Sequence, residues 1–320
     1  MNLAVRSLSG GATVLGGYLI LRGVHSTVLS GLQMLGESHP INGENPISFC
    51  NLFFFSSLLA GIIAIAQEGK SLKAEMAKLC LGSKLLVAVD ACLGYTVAPL
   101  SFYLTLAHMS VSLQTLLFSL VIPVSAVMAR IVNQQILPKH YWISTALIGA
   151  GVIPLAIARA TDVGTIVDAT GLIWAVVAIA SYSASSVTNN LLSQKKISKG
   201  ILIGVESLAA AIVFGLIALF QYGPHHFLSL EWWWVLSVIG GYAILLPLGI
   251  RYLFVQCNRL WSVATVGSWS SLCVPIAIGS AATFLGQPVG IGVAVGSLLT
   301  VAGVAIANRR SFQVMRRQIV

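Results

Sequence analysis

Four charged side chains stand inside long apolar stretches of this sequence, where an ionisable group costs several kcal/mol unless it faces a cavity or a partner. Arg22 has Tyr18 four residues before it and His25 three residues after it, so the three share one face of a helix. The planar guanidinium on that face is suited to hold a carboxylate or another anion. An ion pair inside the protein is the rival interpretation.

Asp90 and Glu206 are the two acids among these four residues. Burial at membrane depth would allow either carboxyl to take part in proton coupling, and both are natural partners for Arg22. Arg251 stands close to one end of its apolar stretch, where its long side chain can reach the interface. We therefore expect an interfacial role for Arg251.

Neutral polar residues complete the candidate substrate cavity. They are Tyr182, Ser186 and Asn189 in one apolar stretch, Thr265 and Trp269 in a second, and Gln114 with Ser119 in a third. Hydroxyl groups in such helices are often bonded to their own backbone, so this simpler role stays open for each of them.

The elements that must position these residues follow from composition. Of 320 residues, 57% are hydrophobic and 8% are charged, and the mean hydropathy of +0.91 is that of an integral membrane protein. The sequence predicts an all-α fold with ten transmembrane helices, at residues 10–34, 46–66, 84–107, 110–131, 141–158, 169–192, 200–221, 232–256, 261–284 and 288–307. The first run lacks a small-residue cleavage site, so we expect it to be retained rather than removed as a signal.

A short motif occurs twice in this pattern. "SLVIP" ends at Pro123 and "SLCVP" ends at Pro275, 152 residues later, and each lies inside an apolar run. Proline removes the hydrogen bond to the carbonyl four residues earlier, here that of Ser119 or Ser271, so both sites are predicted helix kinks. "LIGAGVIPLAIA" and "LTVAGVAIANRR" align at the same offset.

Two matches at one offset indicate an internal repeat. The predicted halves are residues 1–160 and 161–320, each with five helices in one membrane domain. Five crossings turn the second copy upside down, and such inverted repeats are typical of secondary transporters that bind substrate near the midplane. Coincidence between low-complexity apolar sequences is the alternative.

The net charge of +9 does not indicate nucleic acid, because lysine and arginine concentrate in alternate connections and in the C-terminal tail. The opposite connections carry Glu37, Glu44, Asp162, Asp168 and Glu231. The positive-inside rule then places both termini in the cytoplasm. We expect a multi-pass protein of a prokaryotic inner (plasma) membrane.

No metal or cofactor is expected. The five cysteines lack a CxxC pair and suit packing roles. His225 and His226 are adjacent in a predicted external loop, but the sequence supplies no third ligand near them.

The chain resembles the drug/metabolite transporter (DMT) superfamily, in its EamA-like branch. The likeness covers the five-plus-five layout of the whole chain and is specific at "FLGQPVGIGVAVGSLLTVAGVAIANRR" and "QQILPKHYWISTALIGAGVIPLAIAR", which end the two halves. "SYSASSVTNNLLSQKKI" is more distantly similar to triose-phosphate and nucleotide-sugar translocators. Phosphate translocators carry a Lys-Arg pair where this chain has Ser271-Leu272, and this difference disfavours a bis-anionic phosphate.

The resemblance and the inverted repeat together predict a secondary active transporter, an exporter or exchanger of a small polar or amphipathic metabolite, and not an enzyme. The bilayer and a small-molecule substrate are the expected partners, with a proton or counter-substrate for coupling. A homodimer is left open. The alternatives are an antiporter of the nucleotide-sugar or sugar-phosphate type and a non-transporting membrane scaffold or receptor.

Overall fold

The computed structural model describes residues 2–68, 72–137, 140–161, 169–261 and 263–307. Asp162, Asp168 and the basic C-terminal tail, on which the predicted orientation partly depends, lie outside these ranges. In the described part, ten long helical segments follow one another, with an isolated bridge between Ile41 and Glu44. We number them α1 (Asn2–Ser38), α2 (Phe49–Glu68), α3 (Leu81–His108), α4 (Val111–Asn133), α5 (Tyr141–Thr161), α6 (Ala169–Gln194), α7 (Gly200–Gln221), α8 (Trp233–Leu260), α9 (Val263–Ser270 and Cys273–Phe284) and α10 (Ile291–Ala307).

Seven helices in the described residues are long and apolar enough to cross a membrane: those numbered α1 to α4 and α6 to α8. The protein is therefore an integral, multi-pass membrane protein. Shorter apolar helices occupy Tyr141–Val152, Cys273–Phe284 and Ile291–Gly303. The predicted number of ten spans stays a prediction.

Five of these helices are interrupted rather than regular. π-helical turns occupy Ala91–Val97 in α3, Gly200–Val205 at the start of α7 and Ile244–Leu248 in α8. Such turns are rare and frequently mark functional sites. In α4 and α9 the interruptions are turns at residues 119–120 and 271–272.

The turns in α4 and α9 coincide with the two proline motifs. The carbonyl of Ser119 is not left free, because it accepts a hydrogen bond from the Ile122 N–H at 3.1 Å. The carbonyl of Ser271 accepts one from the Val274 N–H at 3.0 Å. In both helices, therefore, a hydrogen bond from the residue three positions after the serine replaces the α-helical bond that proline cannot donate.

The helix contacts also recur with a five-helix shift. α1 packs on α8 and α9, and α6 packs correspondingly on α3 and α4. The contact between α2 and α8 corresponds in the same way to the contact between α7 and α3. The pairs α2–α7, α4–α9 and α5–α10 are also in contact, and a shift by five helices turns each of these pairs into itself. This pattern is the one expected of two related halves.

The helices α5 and α10 approach each other closely at two pairs of residues. A Cβ on Gly151 would come within 2.7 Å of the Gly296 carbonyl oxygen, and a Cβ on Gly303 within 3.0 Å of the Ser144 carbonyl oxygen. Gly151 and Gly303, like Ser144 and Gly296, are 152 residues apart. Glycine thus allows both backbones to approach closely, and the two contacts exchange as two-fold symmetry requires.

Candidate functional site: a central cavity with a guanidinium group

The helices enclose a cavity of about 210 Å³ to which α1 to α4 and α6 to α9 contribute. Its wall is mostly apolar and aromatic, and serine hydroxyls supply much of the remaining polar surface. Four of the five interruptions lie on it, because Gly94 of α3, Ser119 of α4, Pro247 of α8 and Ser271 of α9 all line the cavity. This is the composition and location of a small-molecule site between helices.

Arg22 of α1 lies against two aromatic rings in this cavity. Its guanidinium carbon is 4.9 Å from the ring centroid of Tyr182 and 5.6 Å from that of Phe102. Phe118 packs against both of these rings, with its ring centroid 4.8 Å from that of Phe102 and 6.0 Å from that of Tyr182. Ring faces stabilise a cation without neutralising its charge.

The rival interpretation of Arg22, an ion pair with an acid, is not observed in the part of the chain that the structure describes. Among the residues that the structure describes, no carboxylate lies within salt-bridge distance of this guanidinium. The cavity therefore presents a positive charge to any solute that enters it.

His25 and Tyr18 lie on the same face of α1 as Arg22 and also line the cavity, as their spacing predicted. Nε2 of His25 is 3.0 Å from the hydroxyl of Tyr242, and the two rings stack with centroids 5.8 Å apart. Nδ1 of His25 has no hydrogen-bond partner in the described structure. Tyr18 stacks on Phe254 at 5.7 Å.

Asp90, at the start of the α3 π-turn, is fully buried and well supplied with donors. Its Oδ1 accepts hydrogen bonds from Ser185 at 2.6 Å and Thr188 at 2.9 Å, and its Oδ2 is 3.5 Å from the amide nitrogen of Asn189. All three donors come from α6. Asp90 thus ties α3 to α6 instead of pairing with Arg22.

Arg251 is not at the interface, contrary to the sequence interpretation. It lines the cavity, its Nη2 donates to the carbonyl of Gly94 at 3.0 Å, and its guanidinium carbon is 3.1 Å from the ring centroid of Tyr95. The nearby acids that its charge acts on are Asp90 and Glu206. The position of Arg251 along its own helix does not show how the neighbouring helices cover it, so the sequence alone indicates an interfacial side chain.

The remaining predicted residues divide into two groups. Tyr182, Ser186, Ser119 and Ser271 line the cavity, and the Ser186 hydroxyl donates to the Tyr182 carbonyl at 2.8 Å. Those that lie away from the cavity lining are Gln114, Asn189, Thr265, Trp269, Pro123, Pro275, Asp90 and Glu206. Gln114 instead donates to the Phe102 carbonyl at 2.9 Å, which locks α4 to α3.

Sequence reasoning missed Phe102, Phe118, Tyr95 and Tyr242, which form much of the wall around the two guanidinium groups. Aromatic residues in membrane helices carry no signal of their own that separates a cavity wall from ordinary packing. The recurring Ser-Leu-x-x-Pro turns could have indicated that residues near Ser119, including Phe118, would face a functional site.

A second polar cluster lies outside the apolar helices. Glu44 accepts hydrogen bonds from His226 Nδ1 at 2.6 Å and His225 Nε2 at 3.1 Å, while the Ser48 hydroxyl is 2.8 Å from His226 Nε2. These donors, His226 first, hold the pKa of Glu44 below its usual range. The two histidines belong to the loop after α7 and Glu44 to the loop after α1, so these hydrogen bonds clamp the two loops together. Within the described residues no group of three side chains is placed to hold a metal ion.

Comparison with known proteins finds one relative that is named as a transporter. No family model matches the chain. An uncharacterized transporter of Synechocystis sp. is 29% identical over 221 residues, which are 65% of this chain and 62% of that protein. The match therefore spans less than two thirds of the relative's own length.

A crystal structure of another protein shares the fold. It superposes with a TM-score of 0.63 over 96% of this chain and 99% of the other, at 14% identity. Because the identity is this low, the likeness describes the fold alone.

Proposed function

We propose that this protein is a secondary transporter of a small monovalent anion, such as a metabolite carboxylate, that works by alternating access between two inverted five-helix halves. The observation that carries the proposal is Arg22, a guanidinium on a cavity wall with aromatic neighbours and no acidic partner in the described structure. The helical membrane bundle and the transporter relative support transport in general.

The charged side chains in and near the cavity favour a substrate with a single negative charge. Two guanidinium groups line the cavity. Asp90 and Glu206 lie near Arg251, although beyond salt-bridge distance, whereas the groups near Arg22 are aromatic rings, tyrosine hydroxyls and the Cys273 thiol. One uncompensated positive charge is neutralised by one carboxylate, which the planar fork can bind through two hydrogen bonds. A dianionic phosphate would bring a second negative charge close to Asp90 and Glu206.

Alternating access is supported by the recurring helix contacts and by the two proline turns at equivalent positions. Both turns border the cavity, so a change at either would alter the site and the helix ends together. An exporter or exchanger acting in an inner membrane, with cytoplasmic termini, remains the direction and setting that we expect from the family resemblance.

A ligand pair that differs only in charge tests the anion site. Phenylacetate and the neutral phenylacetamide have similar shape, and the aromatic wall near Phe102 suits both. We expect phenylacetate, and not phenylacetamide, to raise the apparent melting temperature of the purified protein, since a ligand of the native state stabilises by mass action. Aliphatic carboxylates, sugar phosphates, nucleotide sugars and amino acids complete the panel.

Arg22→Lys keeps the charge but loses the fork, so carboxylate affinity should fall about tenfold. Arg130→Lys is the matched control, because Arg130 lies exposed near the end of α4. Stabilisation by sugar phosphates alone would favour the antiporter alternative. A panel without any binder would favour the scaffold.

A further inference from the structure

The buried carboxyl of Glu206 is adjacent in sequence to a residue of the cavity wall but does not itself line the cavity. Glu206 follows the π-turn of α7 and is fully buried, and both of its carboxyl oxygens lack a hydrogen-bond partner in the described structure. The next residue, Ser207, lines the cavity. A carboxyl in this position is close to the transport pathway without blocking it.

The neighbours of Glu206 come from three helices, of which two supply charged or titratable side chains and one supplies apolar side chains. From α3 come Asp90 and Tyr95, and from α8 comes Arg251. The Tyr95 hydroxyl donates to the Leu202 carbonyl and is thus committed elsewhere. The stretch of α2 that packs on α7, "LLAGIIAIA" at residues 58–66, carries no titratable side chain.

The two acids differ in what surrounds their oxygens. Asp90 has three side-chain donors, which stabilise a carboxylate as an acceptor. Glu206 has no described side-chain donor in hydrogen-bond geometry, although Tyr95 and Asp90 lie near it. A buried carboxylate without well-placed donors costs several kcal/mol. With Arg251 positive and Asp90 negative, the cluster is neutral when Glu206 carries a proton.

All three charged residues of this cluster stand beside π-turns. Asp90 directly precedes the turn Ala91–Val97, Glu206 directly follows Gly200–Val205, and Arg251 lies three residues after Ile244–Leu248. Three such turns from three helices meet around one buried cluster. Because π-turns are retained mostly at functional sites, the cluster is more than a packing feature.

We propose that Glu206 is the proton-binding group of this transporter, with the Asp90 carboxylate and the Arg251 guanidinium as the two fixed charges near it. Its proton is exchanged with water when the halves move and the wall formed by Gly94, Tyr95 and Ser207 opens. The carboxylate left behind gives the cluster a net negative charge, which disfavours an anion at the neighbouring cavity. The coupling role rests on the proposed transport function, whereas the proton site itself does not.

Infrared spectroscopy of the purified full-length protein tests the site without a substrate, since a protonated carboxyl has a C=O stretch that a carboxylate lacks. We expect this band at neutral pH in the wild type, shifted by exchange into heavy water. Glu206→Gln should abolish it, whereas Ser185→Ala, which removes one donor from Asp90 without changing the charges of the cluster, should leave it unchanged. Glu37→Gln is the matched control, because Glu37 is exposed.

A band that persists in Glu206→Gln, or one that is missing from the wild type, overturns the proposal. A band that shifts in frequency or disappears in Ser185→Ala assigns the proton to Asp90 and overturns the proposal equally. Asp90→Asn does not discriminate between the two acids, because it removes the charge that balances Arg251 and would leave Glu206 to ionise.

Proteoliposomes containing a trapped pH dye test the coupling. Phenylacetic acid crosses a bilayer unaided, so only the proton movement in excess of that in protein-free liposomes is counted. A phenylacetate gradient should drive such an excess in the wild type and none in Glu206→Gln, although that variant still binds phenylacetate. An excess that survives in Glu206→Gln overturns the coupling role. Failure of phenylacetate to bind the wild type would count against the anion site, while the infrared result would still decide the proton site.

Discussion

Arg22 shows how strongly a neighbour's identity decides the role of a buried charge. With an acid beside it, its removal would leave a buried carboxylate unpaired and cost about 3–5 kcal/mol. In the structure its neighbours are the rings of Tyr182 and Phe102, and each ring contact contributes only about 0.5–2 kcal/mol. A substrate-binding role and a structural role thus predict different stabilities.

We expect Arg22→Ala to lower the free energy of unfolding by about 1–4 kcal/mol, the sum of the two ring contacts, and to abolish stabilisation by phenylacetate. Adding Asp90→Asn or Glu206→Gln should not restore either quantity, because neither acid pairs with Arg22. Melting curves with and without ligand measure both effects. Full recovery in one of the double variants would show that an ion pair, and not substrate, accounts for Arg22.

The loop clamp predicts a pH dependence at a single carboxyl. Because hydrogen bonds from His226 and His225 lower the pKa of Glu44 in the folded protein, its contribution to stability is complete above the unfolded value of about 4.3. It is lost as pH falls through the lower, folded-state value. Glu44→Gln should remove this acid-side loss from the melting-temperature profile, whereas Glu37→Gln should keep it.

At the scale of elements, the interruptions matter more than the regular helices. Regular α-helices satisfy their own backbone and can cross a membrane independently. The turns at residues 119–120 and 271–272 instead concentrate bending at defined points beside the cavity. Both helices also keep these carbonyls bonded, so bending does not expose an unsatisfied group.

Pro123→Ala and Pro275→Ala restore an N–H that can donate to the carbonyl of Ser119 or Ser271. We expect each helix to straighten and substrate turnover to fall several-fold, while melting temperature changes little. Pro288→Ala, in the exposed connection before α10, is the matched control. Equal turnover in all three variants would make the turns packing features only. Flux of the best ligand from the panel into proteoliposomes is the measurement.

For the whole molecule, the recurring contacts and the equivalent glycines of α5 and α10 support two halves of opposite orientation. The Glu44 clamp joins the loop after α1 to the loop after α7. Under the inverted arrangement these loops lie on the same face of the membrane, and the surface helix Leu72–Lys78 after α2 lies on the other.

This arrangement can be tested with single cysteines in a cysteine-free protein. A cysteine at Lys73 should react with a membrane-impermeant reagent from the cytoplasmic side only, and one at His225 from the outside only. His140, in the connection between α4 and α5, provides a further cytoplasmic position as a control. Labelling of positions 73 and 225 from the same side would exclude the proposed topology.

The sequence by itself determined the membrane class, most helix positions and the sites of the two proline turns, since these depend on hydrophobic length and local backbone chemistry. It also placed Arg22, Tyr18 and His25 on one face of α1, because helical spacing is a local property. Only the tertiary structure decided which charges meet. Asp90 binds donors of α6, Arg251 lies in the cavity beside α3, and Arg22 is left with aromatic neighbours. Such pairings depend on the rotation and depth of each helix relative to its neighbours, and these are set by packing between residues far apart in the chain.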